Sequence, residues 1–149
     1  MNHVQNMLEE KGFKVNNIQM PYESQSNMVT SVFRSAAVIV AGSTYEYKMF
    51  PPVAHAIDEL GRKKITSIGS YFFGSYGWNP SAKRDFLNIL DTFKMKWDVI
   101  EPYEFKGAPK DEDYKAIEKG VLNLVENMLK TCKKKSYKRG IFLFFSVLY

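Results

Sequence analysis

Apolar residues recur along this chain in two alternating rhythms. In residues 2–11, Val4, Met7 and Leu8 fall at i, i+3 and i+4, the spacing of one helical face, and Gly12 is a natural stop. Residues 13–20 (FKVNNIQM) read as a short strand ended by Pro21. Ser24 or Ser26 can cap a helix reaching about Arg34, with Val29, Val32 and Phe33 inward. The run AAVIVA at 36–41 is apolar, rich in β-branched residues and without polar alternation, which fits a strand covered on both faces. Pro51 and Pro52 suit the first turn of a helix to Leu60, with Val53, Ala56, Ile57 and Leu60 inward. A strand follows within 65–73 (ITSIGSYFF), interrupted by Gly69. Asn79 can cap the next helix and Pro80 can open it, with Phe86, Ile89, Leu90 and Phe93 as its apolar face. Residues 97–103 (WDVIEPY) make another strand. Asp111 opens the clearest helix, in which Tyr114, Ile117, Val121, Leu124, Val125 and Met128 keep helical period to Lys130.

The order is αβαβαβαβα, which predicts an α/β domain with a mostly parallel sheet and helices on both faces. A chain of 149 residues fits one such domain. Residues 131–149 break the pattern with a basic run and then IFLFFSVLY, well short of the ~18 apolar residues of a membrane span. That basic run also accounts for the net charge of +5. Lys130, Lys133, Lys134, Lys135, Lys138 and Arg139 are six of 21 basic residues, leaving 15 basic against 16 acidic elsewhere. The body is near neutral, without the spread basic face of a nucleic-acid binder. The lone Cys132 excludes an intramolecular disulfide and a Cys-rich zinc site. No secretory leader is visible, and the cytosol is the expected compartment.

Candidate chemistry lies in two loops that follow strands, where open parallel sheets bind their ligands. One runs Gly42, Ser43, Thr44, Tyr45, Glu46, Tyr47; the other runs Gly74, Ser75, Tyr76, Gly77, Trp78. Small residues allow close approach of main-chain N–H and C=O groups. Aromatic residues offer flat faces for a planar ring. Such strings are also ordinary turns and packing, so composition leaves both meanings open. His3 and His55 have no companions at metal-ligand spacing, so no metal site is expected. Ser43 lacks a His and Asp set, and no independent catalytic site is visible.

At these loops the chain resembles the flavodoxin-like domain of flavodiiron proteins. The resemblance runs over VIVAGSTYEYKMFPPVAHAIDEL from Val38 and then FGSYGWNPSAK from Phe73, and more loosely over residues 1–130. The FGSYGW string is fairly specific to that family. The resemblance implies a flavodoxin-like three-layer sandwich with strand order 2-1-3-4-5. It implies FMN as cofactor, with Ser43, Thr44, Tyr45, Glu46 and Tyr47 on one side of the isoalloxazine ring. Ser75, Tyr76, Gly77 and Trp78 would lie on the other, with Tyr45 and Trp78 as ring neighbours. It implies a redox partner protein or diiron domain, and a possible homo-oligomer. The chain departs from the family pattern where Gly42 and Ser43 replace Ser-Pro, where Glu46 replaces a common Asn, and at Asn79, Pro80 and Ser81. The family's first strand and its Ser/Thr-rich phosphate loop do not precede residue 2, so weakened FMN binding is expected.

Two functions fit the sequence. One is an FMN-binding electron-transfer module of a flavodiiron-type oxygen or nitric oxide reductase. The other is a truncated remnant or α/β interaction module without cofactor. The sequence divides into a partial flavodoxin-like domain, 1–130, and a basic then apolar tail, 131–149. The nine-residue IFLFFSVLY is strongly β-prone and would be an aggregation hazard if exposed. The body lacks one central apolar strand. Residues 141–148 are therefore a candidate to fold back into the first-strand position, with a loose tail as the alternative.

Overall fold

The computed structural model describes residues 2–65, 67–132 and 140–145. All nine expected elements are present: α1 (Asn2–Glu10), β1 (Val15–Gln19), α2 (Gln25–Phe33), β2 (Ser35–Ala41), α3 (Pro51–Arg62), β5 (Gly69–Tyr76), α4 (Ala82–Thr92), β6 (Asp98–Lys106) and α5 (Asp111–Cys132). Two more were not read as regular structure, the strands of a small hairpin, β3 (Thr44–Tyr45) and β4 (Lys48–Met49); the candidate fold-back segment contributes the last described strand, β7 (Gly140–Phe145).

The main sheet has five strands in the order β1-β7-β2-β5-β6, and every pairing in it is parallel. Strand order 2-1-3-4-5 is recovered, with the first position filled by β7. Ile141 to Phe145 pair with Val15 to Gln19 on one side and with Ala37 to Ala41 on the other. The fold-back is thus realised over Gly140–Phe145, while residues 146–149 lie outside the described residues. Strand β7, late in the sequence, thus lies between β1 and β2.

Alternation along the central strands divides the interior into two layers. Val38 and Val40 of β2 and Phe72 of β5 face α2, α3 and α4, packing with Met28, Val32, Val53, Ile57, Leu60, Phe86 and Leu90. Ala37, Ile39, Tyr71 and Phe73 face α1 and α5, packing with Val4, Leu8, Ile117, Val121, Leu124 and Met128. Because both faces are covered, β2 carries the continuous apolar run that its sequence shows.

Two boundaries differ from the sequence reading for reasons of pairing. The strand expected within 65–73 begins at Gly69 and runs on to Tyr76, because Gly74, Ser75 and Tyr76 pair with Glu104, Phe105 and Lys106. Residues with turn chemistry are held extended by a long edge partner, since cross-strand pairing overrides local preference. Strand β6 absorbs Pro102 at a register shift: Tyr71 pairs with Ile100, but Phe73 pairs with Tyr103. An edge strand tolerates proline there. Trp97 sits just before β6, 7% exposed, and its indole N–H donates to the Ile65 carbonyl at 2.8 Å.

Candidate functional site

The carboxyl ends of β2 and β5 are bound together by backbone. The Gly42 N–H donates to the Phe73 carbonyl at 3.1 Å. A Cβ on Gly74 would stand 1.9 Å from the Gly42 carbonyl oxygen, so only glycine admits this approach. From that junction the two candidate loops diverge.

The first loop is a hairpin, not an open coil. Thr44 pairs with Met49 and Tyr45 with Lys48, leaving Glu46 and Tyr47 as a two-residue turn. Both turn residues have positive φ, 46° and 64°. That is the geometry of a type I′ hairpin turn, which Asn-Gly adopts most readily. Glu46 and Tyr47 hold it against their own preference, a local strain of the kind found at binding loops. The Phe50 N–H closes the hairpin base on the Ser43 carbonyl at 2.9 Å.

The second loop reduces to Gly77 and Trp78, since Ser75 and Tyr76 belong to β5. Asn79 does not cap α4, nor does Pro80 open it. Ser81 occupies the cap position without a side-chain cap bond, and the helix starts at Ala82. The helix is capped from outside instead. The Thr44 hydroxyl oxygen accepts from the Ser81 N–H at 3.2 Å and from the Ala82 N–H at 3.1 Å. Glu104 accepts from the same Ala82 N–H at 3.1 Å. One turn further along, Asp85 accepts from the Met49 N–H at 3.1 Å.

Between hairpin and turn lies a cleft of about 160 Å³ lined by Thr44, Glu46, Tyr47, Gly77, Trp78 and Asn79. Five of the nine residues singled out in the sequence therefore line it. Ser43, Tyr45, Ser75 and Tyr76 do not. Tyr45 turns away and packs edge-on against Phe50, ring centroids 6.3 Å apart. Tyr47 lines the cleft with Trp78. Trp78 is 98% exposed and Tyr47 is 69% exposed, so two aromatic faces stand open to solvent. Asn79 and Glu104 were missed. Asn79 had a signal in its position directly after Trp78; Glu104 had none, since only the β5–β6 register brings it opposite Gly74.

A cleft of 160 Å³ lies below the roughly 300–1,000 Å³ of enclosing ligand pockets. The Ser43 hydroxyl, buried in the loop that leads into the hairpin, has no hydrogen-bond partner among the described residues. The two histidines are engaged elsewhere, His3 with Glu118 at 2.6 Å and His55 with Gln25 at 2.7 Å. Among the described residues no cluster of three metal-ligating side chains occurs, and no helix is long and apolar enough to cross a membrane.

No protein-family profile matches the chain. It is similar to the anaerobic nitric oxide reductase flavorubredoxin of Aeromonas salmonicida, 32% identical over 96 residues, which cover 59% of this chain and 18% of that protein. Its fold is similar to that of a flavo di-iron protein variant from Thermotoga maritima, with TM-score 0.71 and 27% identity over 86% of this chain and 32% of the other. It is also similar to a flavodoxin from the domain Archaea, with TM-score 0.70 and 23% identity over 86% of this chain and 87% of the other. The chain spans less than a fifth of the curated relatives it matches.

Proposed function

We propose that this flavodoxin-like α/β domain, similar to the flavodoxin-like portion of flavodiiron proteins, is the flavin-carrying electron-transfer module of a flavodiiron-type oxygen or nitric oxide reductase, acting in the cytosol between a redox partner and a diiron domain. The observation that carries this reading is the open pair of aromatic faces, Tyr47 and Trp78, at the carboxyl ends of adjacent parallel strands. Aromatic faces stack on an isoalloxazine ring. Main-chain groups at Gly77 and the Asn79 amide would meet its polar edge.

Bound FMN supplies reversible electron transfer; the chain supplies orientation and tuning. Trp78 and Tyr47 would exclude water from the ring. Glu46, exposed at the hairpin turn, would place a negative charge beside a ring that gains negative charge on reduction. That charge disfavours the reduced form and lowers the potential. Glu46→Gln is expected to raise the potential of bound flavin by about 20–40 mV at low salt, less at high salt, as screened charges do. A spectroelectrochemical titration checks this; a fall in potential would contradict it.

Among the described residues, no Lys or Arg lines the cleft to pair with a phosphate. Three charge-assisted hydrogen bonds to a phosphate, each worth about 1.5–3 kcal/mol, would multiply affinity more than a thousandfold. Without them, FMN and riboflavin are expected to bind this chain within about fivefold of each other, far above nanomolar dissociation constants. Fluorescence titration of both flavins is the test. Saturable binding of both supports the module. A colourless chain that binds neither at millimolar flavin supports an interaction module without cofactor.

A further inference from the structure

We propose that Glu104 is a positioning residue, acting through Thr44, that sets the spacing between the hairpin turn and Trp78. This inference rests on the flavin-binding reading above for its functional consequence, but its structural part stands without it.

Thr44 lines the cleft, yet its hydroxyl is not available to a ligand. Its oxygen accepts from the Ser81 and Ala82 N–H groups, and its proton is directed to Glu104 Oε1 at 3.4 Å, a long contact. A hydroxyl has one proton and two lone pairs, so all three are committed. Glu104 Oε1 also accepts from the Ala82 N–H, which is shared between Glu104 and Thr44 at 3.1 Å each. One carboxylate from β6 thus joins the hairpin strand β3 to the first turn of α4. The helix N-terminus favours negative charge there.

The consequence is geometric. Ser81 follows the second loop by three residues, and Thr44 precedes the turn that carries Glu46 and Tyr47. Fixing Thr44 to Ser81 and Ala82 fixes one cleft wall against the other. The bond from the Met49 N–H to Asp85 holds the return strand of the same hairpin to the same helix. The hairpin is only two residues wide on each side, and its turn is strained. Short, strained hairpins do not hold their place unaided.

The test compares Glu104→Ala with Glu104→Gln in the full chain. Gln keeps an acceptor oxygen; Ala removes it. Amide hydrogen exchange at Ser81, Ala82 and Met49 is expected to quicken at least about tenfold in Glu104→Ala, with Ile39 and Val121 unchanged, as in a local opening. Glu104→Gln is expected to stay within about threefold of wild type at those amides. Riboflavin affinity should fall at least about tenfold in the Ala variant and recover in the Gln variant, because Tyr47 and Trp78 lose their spacing. Unchanged exchange at Met49 in Glu104→Ala would overturn the proposal. So would equal loosening of the whole sheet, or a Gln variant no better than Ala. If wild-type chain binds no flavin, the functional reading fails, while the exchange pattern still decides the clamp.

Discussion

Ending the chain at Cys132, or substituting Leu143→Pro, is expected to abolish or severely weaken folding. Strand β7 is central: Leu143 pairs with Asn17 of β1 and with Ile39 of β2. A proline there removes a ladder donor and is sterically excluded from a central strand, a loss of about 3 kcal/mol or more. For a domain of this size that is about 6–12 °C in Tm. Truncation goes further. It strips partners from the facing edges of β1 and β2, where Ile18, Ile39 and Val40 are buried. Buried backbone groups left unpaired cost about 1–3 kcal/mol each, against a total stability of only about 5–15 kcal/mol. The truncated chain should lose its cooperative melt, or aggregate. A chain of 132 residues melting like the full protein would place the sheet's integrity elsewhere.

The second large effect separates the two tryptophans. Trp97→Ala should destabilise by about 3–5 kcal/mol, since the side chain is buried and its N–H would leave the Ile65 carbonyl unpaired. The indole also packs near Phe86, ring centroids 6.4 Å apart, so its loss opens a cavity in the layer beneath α4. Trp78→Ala should change stability by less than about 0.5 kcal/mol, because an exposed side chain contributes little to the core. Its effect should instead fall on flavin binding, with a loss of about tenfold or more from the missing stacking face. Thermal melts and flavin titrations of both variants check this. A stability loss in Trp78→Ala with unchanged affinity would reverse the assignment.

The elements legible in the sequence were those whose burial is periodic. Val53, Ala56, Ile57 and Leu60 announced α3, and Ile117, Val121, Leu124 and Met128 announced α5, because one face of each must meet the sheet. The run of β2 announced a strand covered on both sides. Strand β7 was legible by two facts together, an apolar β-prone segment and a vacant central position. Non-local features stayed hidden. Gly74, Ser75 and Tyr76 carry turn chemistry, and only their pairing with β6 makes them strand. The cap of α4 was read at Asn79, but it comes from Thr44 and Glu104, distant in sequence. The hairpin was hidden because Glu46 and Tyr47 are poor residues for a type I′ turn. At the site, the aromatic character of the loops was readable, but which tyrosine lines the cleft with Trp78 was not. That choice follows from the hairpin turn, which carries Tyr47 at positive φ and whose existence the sequence did not signal.

The most direct test of the account is a titration of the ¹⁵N-labelled full chain with FMN, followed by amide chemical shifts. The account predicts saturable shifts concentrated at residues 44–48 and 77–82, with the Trp78 indole N–H among the largest. Shifts that never saturate, or that cluster away from the hairpin and the Gly77–Trp78 turn, would contradict it.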